Sequence, residues 1–243
     1  MNLVETPIST FSIVGRCVQT GMLGVAIASK YPAVGAVCSH TRPGVGAIAT
    51  QAYGNPYLGF DGLDLLSRGK NVESTLAQLL RQDAGREKRQ VIIIDQHGQT
   101  AAHTGNMAAA WAGHLQATDC AAAGNILAGP QVIQVMVDAF EQAPGEELAE
   151  RLLRALEAGD RAGGDKRGKQ AAHLQVVHVE TWKYVDLRVD DHPEPVAELR
   201  RLFELAKTEL FPFRDLYPTR DDPGADWDLD DVARLSPPMV GRQ

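Results

Sequence analysis

The sequence predicts an α+β fold built as one large domain, because strand-like and helix-like segments occur in blocks rather than in strict alternation. Short runs rich in small and β-branched residues fill the first part of the chain, and amphipathic runs fill much of the second. The chain has 243 residues, of which 44% are hydrophobic, and this is enough to bury a substantial core.

The first block is predicted to be antiparallel sheet. Its four strand segments are TFSIVGRC, LGVAIASK, AVGAVCSH and GVGAIATQAYG. Turn-forming residues such as Arg42-Pro43-Gly44 separate them, and this spacing is typical of hairpins. Gly and Ala are frequent in these strands, so another backbone or a ligand can approach them closely. We therefore expect a functional site near this sheet.

A helix is predicted next, over NVESTLAQLLRQD, with Asn71 as its N-cap. Four apolar residues fall on one face of this helix: Val72, Leu76, Leu79 and Leu80. The segment RQVIIIDQHGQTAAHTG has the pattern of a second hairpin, which turns near His97-Gly98. The segment DCAAAGNILAGP then predicts a strand that leads into a loop.

The second half of the chain begins with a predicted helical pair. Pro130 suits a first helical turn, and QVIQVMVDAFEQA and EELAERLLRALEAGD both carry apolar residues at helical spacing. A strand pair over AAHLQVVHVETWKYVDLRVDD and a helix over PEPVAELRRLFELAKTEL follow. Residues 211–243 are rich in Pro and Asp and predict a C-terminal extension rather than a second domain.

Composition argues against several classes of partner. The formal net charge is -7 and no basic stripe occurs, which disfavours nucleic acid and membrane surfaces. The first ten residues have neither a basic nor an apolar region typical of a signal peptide, so we expect a cytoplasmic protein. The three cysteines are widely spaced, and we expect buried thiols: Cys17, Cys38 and Cys120.

Common catalytic and cofactor motifs are missing from the sequence. It contains no HxxxH pair, no Cys/His cluster at ligand spacing and no GxSxG. The run GDRAGGDKRGKQ follows a predicted helix and ends without the Gly-Lys-Ser/Thr of a phosphate-binding loop. We therefore expect neither a metal nor an organic cofactor.

A set of polar residues remains among the small apolar ones. It comprises Thr10, Ser12, Ser29, Thr50, Gln51, Asn55, His103, Asn125, Asp165, Arg167 and Gln170. Residue types alone leave open whether this set forms a functional site or fills ordinary structural positions. Small polar residues also occur in ordinary strands, and a buried histidine is often structural.

The segments TFSIVGRC, PGVGAIATQAYGNP, RQVIIIDQHGQTAAHTG, GNILAGP and DLRVDDHPEPVAELRRL, in this order, resemble the domain-of-unknown-function family 1028. The resemblance spans about residues 10 to 205 and extends to the N-terminal-nucleophile (Ntn) hydrolase superfamily, in which that family is placed. It implies a four-layer αββα sandwich over 10–210, behind a leader of residues 1–9. It also implies that Thr10 is a nucleophile whose own α-amine serves as base, once cleavage of the Ser9-Thr10 bond has freed that amine.

On this resemblance we expect hydrolysis of a carbon–nitrogen bond in a small amide. Thr10 would attack and Asn125 would help to stabilise the oxyanion. The expected substrate-binding residues are Ser29, Gln51, Asn55, His103, Asp165 and Arg167. Asp165 and Arg167 alternatively form an ion pair that holds their loop.

Two alternatives to this mechanism stay open. The first is an unprocessed, non-catalytic protein that binds a small ligand or a partner in the same groove. The second uses an internal hydroxyl, Ser12 or Ser29, with His103 as base; strand alternation puts Ser12 on the same face as Thr10. In every case a homodimer or larger homo-oligomer is expected.

Overall fold

The computed structural model describes residues 10–224 and 230–231. The predicted leader, residues 1–9, and residues 225–229 and 232–243 of the predicted extension lie outside the described residues. The strands are β1 (Thr10–Arg16), β2 (Leu23–Ser29), β3 (Ser39–Arg42), β4 (Gly46–Ala52), β5 (Arg89–Asp95), β6 (Thr100–Thr104), β7 (Gly113–Ala117), β8 (Cys120–Asn125), β9 (Ala171–Val177) and β10 (Val185–Val189). The helices are α1 (Gly35–Cys38), α2 (Tyr57–Ser67), α3 (Val72–Gln82), α4 (Gln131–Glu141), α5 (Leu148–Arg161) and α6 (Pro195–Glu209).

The strands form two antiparallel sheets that pack face to face. The six-stranded sheet has the order β10-β9-β2-β1-β8-β7, and the four-stranded sheet has the order β3-β4-β5-β6. One core cluster joins them, with Val14 and Val25 from the first sheet against Ala49 and Ile92 from the second. β1 therefore lies in the middle of the larger sheet, with β4 and β5 in contact across the interface.

A helical layer covers the outer face of each sheet. α2 and α3 pack on the four-stranded sheet, and α4 and α5 pack on the six-stranded one. The predicted α+β class and the αββα layers are thus confirmed. None of the described helices is long and apolar enough to cross a membrane.

The chain divides into two compact units, Met1–Leu199 and Arg200–Gln243. The sandwich belongs to the first unit. In the second, the rings of Phe203 and Phe211 meet edge to face with centroids 5.6 Å apart, and the guanidinium of Arg214 lies over the Phe211 ring.

Local side-chain chemistry explains the elements that were predicted correctly. The Asn71 side chain accepts a hydrogen bond from the Ser74 N–H and caps α3. The β5–β6 hairpin turns at the predicted place, where the Asp95 carboxylate accepts the His97 N–H and Gly98 has a φ of 83°. The three cysteines are buried and free, as expected: Cys17, Cys38 and Cys120.

The prediction of a strand over AVGAVCSH was wrong in its first part. Gly35–Cys38 is the short helix α1, and β3 begins only at Ser39. The chain turns at Ala33, which has a φ of 52°, and the Cys38 N–H then bonds to the Val34 carbonyl. Small residues without a strong propensity follow this turn into a helical conformation.

Two elements had no counterpart in the sequence analysis, namely α2 and β7. α2 contains Gly59 and Gly62, and glycine weakens helix propensity. A Cβ on Gly62 would lie 2.6 Å from Ile48 Cδ1 of β4. α2 therefore forms because it packs closely on the sheet, although its glycines weaken its helix propensity.

Candidate functional site

The first residue of β1 lies between polar partners on both sides. Thr10 is paired with Ser29 of β2 and with Asn125 of β8. Directly paired residues of neighbouring strands project to the same face, so these three side chains form a row at one end of the six-stranded sheet. All three residues are fully buried. The structure thus brings together three residues that the sequence analysis singled out.

The Thr10 hydroxyl is held by Ser29. Their Oγ atoms lie 3.1 Å apart, and Ser29 Oγ also accepts the Tyr31 N–H at 3.0 Å. Each hydroxyl has one proton and two lone pairs, so either Thr10 or Ser29 can donate this bond. The contact with Ser29 holds the Thr10 hydroxyl in place.

Asn125 lies where β8 leaves the sheet. Its Nδ2 donates to Gln90 Oε1 of β5 at 3.2 Å. The next residue, Ile126, has a φ of 55°, which is an uncommon conformation for a β-branched residue. The N–H groups of Ile126 and Leu127 donate to the carbonyl oxygens of Ala109 and Trp111, in the loop between β6 and β7. Such strained positions cluster at functional sites, because the surrounding structure must enforce them.

A polar chain continues from β1 into the second sheet. Ser12 lies on the same face as Thr10, as alternation predicts, and donates to Gln51 Oε1 at 2.6 Å. Gln51 Nε2 in turn donates to Gln90 Oε1 at 2.8 Å. Gln90 also bonds to Asn125, so both predicted amides, Gln51 and Asn125, belong to one buried network.

The network reaches the surface through two further residues. Gln90 Nε2 donates to Thr104 Oγ1 at 2.9 Å, and that hydroxyl lies 2.8 Å from His114 Nδ1. Burial lowers the pKa of His114, and the neighbouring His103 lowers it further. The neutral ring that results can accept the Thr104 proton at Nδ1.

The segment from Asp165 to Gln170 crosses the N-terminal end of β1. On one side Asp165 forms a bridge with Leu127, just beyond β8, and on the other the Gln170 N–H donates to the carbonyl oxygen of Ser29 at 2.8 Å. β8 and β2 are the two neighbours of β1, so the segment passes the point where Thr10 begins.

Asp165 carries a buried carboxylate within this segment. The side chain has 0% exposure, and its Oδ1 accepts the Arg167 N–H at 2.7 Å. Oδ1 also lies 3.7 Å from Arg167 Nε, so the expected ion pair is present. The other oxygen, Oδ2, has no hydrogen-bond partner among residues 10–224 and 230–231. A buried carboxylate oxygen without a donor is costly and marks a place where a cation or an N–H group is favoured.

Two of the expected substrate-binding residues lie elsewhere. His103 is paired with Val91, whose side chain packs towards α2 and α3, so His103 projects to the outer face of its sheet. Its Nε2 lies 2.9 Å from the carbonyl oxygen of Arg86. Asn55, just before α2, donates to Asp83 Oδ2 at 3.1 Å. Neither residue joins the Thr10 row.

The face of His103 also bears on the alternative in which an internal serine uses it as base. Ser12 projects into the space between the sheets, where its hydroxyl donates to Gln51. Successive residues of a strand point to opposite faces, and the two β6 neighbours of His103, Ala102 and Thr104, project inward. The structure therefore does not bring Ser12 and His103 together.

A second polar array lies at the opposite side of the sandwich. His173 Nδ1 is 3.0 Å from Ser39 Oγ, and its Nε2 is 2.8 Å from Asp186 Oδ1. His173 is 1% exposed and packs beneath α1, where a side chain at Gly35 would collide with its ring. The array ties the edge strand β3 to β9 and β10. No group of three or more metal-ligating His, Cys, Asp or Glu side chains occurs within the described part of the chain.

Sequence reasoning missed Gln90, which connects most of this network. Its position in RQVIIID offers one signal, since it is a polar residue at the start of an otherwise apolar strand. The identity of its partners depends on how the two sheets face each other, and strand patterns do not contain that information.

Comparison with known proteins places the chain in context. A protein-family model, described as a family of unknown function (DUF1028), matches residues 10–199. The crystal structure of protein SPO2555 from Silicibacter pomeroyi, which is assigned to the same family model, is 30% identical. The match covers 90% of this chain and 96% of that one, with a TM-score of 0.83. No match was found among curated proteins.

More distant similarity connects the chain with Anbu, the ancestral β-subunit. The Anbu structure from Yersinia bercovieri is 11% identical, with a TM-score of 0.39, and the match covers 83% of this chain and 96% of that one. A Gly-1 mutant of Anbu from Hyphomicrobium sp. strain MC1 is 14% identical, with a TM-score of 0.36, and the match covers 86% and 100%.

Proposed function

The chain belongs to the DUF1028 family, and from that premise we propose that it is an Ntn-type amidohydrolase of a small amide. Thr10 is the nucleophile, and it becomes active when residues 1–9 are removed. The reaction needs neither a metal nor an organic cofactor, since the base and the nucleophile belong to one residue.

One observation carries this proposal. The Thr10 hydroxyl lies at the very start of a central strand, 3.1 Å from Ser29 Oγ and in register with Asn125. A hydroxyl at the first residue of a strand, with polar residues beside it on both neighbouring strands, supports the role of an N-terminal nucleophile. The family match also begins at Thr10, which agrees with a domain whose functional chain starts there.

The chemistry follows from a freed N-terminus. An α-amine has an ordinary pKa near 8, so a useful fraction is unprotonated at neutral pH and can accept the Thr10 proton. The Oγ atom then bonds to the amide carbon of the substrate, and the carbonyl oxygen becomes an oxyanion. Breaking the C–N bond returns the proton to the leaving amine. Water hydrolyses the resulting ester and regenerates Thr10.

Asn125 supplies polar stabilisation in this scheme. Its side-chain amide is anchored by Gln90 and lies beside Thr10 in the register of β1 and β8. Donors fixed in advance at a developing oxyanion are effective because they need no reorganisation during the reaction.

The remaining residues serve binding. No group among residues 10–224 and 230–231 donates to Oδ2 of Asp165. This oxygen, beside the start of β1, suits an ammonium or an N–H group, either of the freed Thr10 amine or of the substrate. The Arg167 side chain is 33% exposed and can hold a substrate carboxylate. Ser29 contacts the Thr10 hydroxyl, and Gln51 lies between Ser12 and Gln90 in the adjoining network.

Processing is a requirement of the proposal for two reasons. The nitrogen of Thr10 is an amide while residue 9 is attached, and an amide nitrogen is not a base. In addition, Thr10 is buried, so its hydroxyl must become accessible to substrate in the processed protein.

The same burial favours the alternative function. With a hydroxyl already bonded to Ser29 and closed to solvent, Thr10 is also compatible with an unprocessed strand in a protein that binds a small ligand or a partner.

The two functions are separated by the intact mass and N-terminal sequence of the purified protein, followed by treatment with a β-lactone. The hydrolase is expected to begin at Thr10 and to gain the mass of one lactone, esterified at Thr10. Thr10→Ala is expected to gain no mass, because it lacks the hydroxyl that the lactone acylates, whereas the control Thr100→Ala behaves like the wild type. A wild-type chain that begins at Met1 and takes no lactone contradicts the hydrolase and supports the binding protein.

A further inference from the structure

The side chain of Gln90 lies fully buried between the two sheets, close to the Thr10 row. Its Nε2 lies within hydrogen-bond distance of three acceptors, which share its two protons: the carbonyl oxygens of Gly124 and Gly113, each at 3.0 Å, and Thr104 Oγ1 at 2.9 Å. Two of these are backbone carbonyls, which only accept, so the orientation of the amide is determined by its surroundings.

The oxygen of the same amide accepts hydrogen bonds from two side chains. Gln90 Oε1 accepts from Gln51 Nε2 at 2.8 Å and from Asn125 Nδ2 at 3.2 Å. One amide therefore connects β5 with β4, β6, β7 and β8. Its removal would leave several buried donors and acceptors without a partner at once.

The contacts to β8 are the ones that concern the site. Gly124 is paired with Phe11, and Asn125 is paired with Thr10. Gln90 therefore bonds to the two β8 residues that lie opposite the start of β1. Directly after this point Ile126 adopts its left-handed conformation. A strained residue persists only where its neighbours hold it, and Gln90 fixes the residues just before it.

We propose that Gln90 is a positioning residue that holds Asn125 and the Gly124 carbonyl in the orientation that acylation of Thr10 requires. The inference rests on the proposed function. Gln90 does not touch the substrate; it acts through Asn125 and Gly124. Misplacement of a catalytic group by about 1 Å costs on the order of a hundredfold in rate. Loss of the hydrogen bonds from Gln90 to β8 is therefore expected to lower the rate of acylation measurably.

The chain offers a matched control in Gln175. This glutamine is also buried between the sheets, where its Oε1 accepts from Thr41 at 2.7 Å and its Nε2 donates to Asp186 at 3.1 Å. It lies in the array around His173, away from Thr10. Replacing either glutamine by methionine removes a buried amide of similar size.

The experiment compares β-lactone acylation of the Thr10-initiated wild type, Gln90→Met and Gln175→Met, with the melting temperature measured for each. We expect both variants to melt earlier, but only Gln90→Met to lose about ten- to a hundredfold in the maximal rate of acylation, with little change in the lactone concentration for half-saturation. Equal acylation rates for Gln90→Met and the wild type, or equal losses for both variants, would overturn the positioning role.

A second variant covers the case in which Gln90→Met does not fold. Gln90→Glu keeps the shape, and its protonated carboxyl can still donate to Gly124 while accepting from Asn125. The acylation rate of Gln90→Glu, divided by that of the wild type, is expected to fall as rising pH ionises this carboxyl. If that ratio of rates stays constant with pH, the inference is overturned. A wild type that is neither processed nor acylated overturns the proposed function, and the inference with it.

Discussion

Ser12 of β1 donates a hydrogen bond of 2.6 Å to Gln51 of β4, across the interface between the two sheets. Both residues are almost fully buried. A polar contact in this position is unusual, because the surrounding interface is formed by side chains such as Val14 and Ala49. It joins the first strand to the network that includes Gln90 and Asn125.

Ser12→Ala is expected to lower the free energy of unfolding by about 1–3 kcal/mol, because Gln51 Oε1 loses a buried donor. Thr100→Ala, which removes an exposed hydroxyl bonded to Gln116, is the control and is expected to change it by less than about 0.5 kcal/mol. Urea unfolding measures the change in the free energy of unfolding for each of the two variants. Equal effects would show that the Ser12 contact adds nothing to stability.

Asn125→Ala is expected to slow β-lactone acylation of Thr10 by about a hundredfold or more, which is the usual cost of losing one oxyanion donor. Asn106→Ala, in an exposed loop position, is the control. The rate of mass gain after processing measures the effect. If Asn125→Ala is acylated as fast as Asn106→Ala, Asn125 has no part in stabilising the oxyanion.

The sequence indicated part of this site, for reasons that differ between residues. Strand alternation correctly placed Thr10 and Ser12 on one face, because both belong to a single strand. For His103, alternation within its strand does not say which face points inward. That depends on the register with β5, where His103 stands opposite the outward-facing Val91. Gln90 was missed because its partners all come from other strands.

Gly15→Ala tests how closely the helices approach β1. A Cβ at Gly15 would lie 2.7 Å from a ring carbon of Phe140 and 3.1 Å from Leu152 Cδ2. We expect the free energy of unfolding to fall by about 1–3 kcal/mol, since a packed core does not accommodate an added methyl group. Gly145→Ala, with no atom within 4 Å of the added Cβ, is expected to stay within about 0.5 kcal/mol of the wild type. Urea unfolding distinguishes the two, and similar losses would contradict the close packing.

The fold was predictable where a local signal determines the structure, as the Asn71 cap does for α3. It was not predictable where tertiary packing decides. Gly59 and Gly62 weaken the helical signal of α2, although the absence of their side chains is what lets the helix pack: a Cβ on Gly59 would collide with the His40 ring. The same residue type thus obscures the element in the sequence and makes it possible in the structure.

The three buried thiols are expected to differ in reactivity. Burial by itself raises the pKa of Cys17, but hydrogen bonds from Thr20 and Gln19 outweigh it and leave the pKa below its ordinary value. Burial raises the pKa of Cys38 and of Cys120 to about 12. Because the thiolate is the reactive form, iodoacetamide at pH 8 is expected to modify Cys17 first. Peptide mass spectrometry of a time course shows the order, and urea should make all three reactive. If Cys38 or Cys120 is labelled faster than Cys17 in the folded protein, the predicted order of reactivity is contradicted.

The ion pair between Asp83 and Arg89 is expected to make stability depend on pH. Burial acts to raise the pKa of Asp83, but hydrogen bonds from Arg89, Asn55 and the Gly85 N–H outweigh it and hold the pKa below its ordinary value. In the unfolded chain this carboxyl takes up a proton near pH 3.9, whereas the folded protein resists protonation. The stabilisation is therefore complete above the unfolded pKa and is lost as the pH falls through the lower, folded value.

Asp83→Asn removes this dependence. The variant is expected to be less stable than the wild type at pH 7, and the difference should shrink as the pH is lowered from about 5 to about 3. Urea unfolding of both proteins across that range measures the difference. A gap between Asp83→Asn and the wild type that stays constant with pH would show that the Asp83 charge does not contribute to stability.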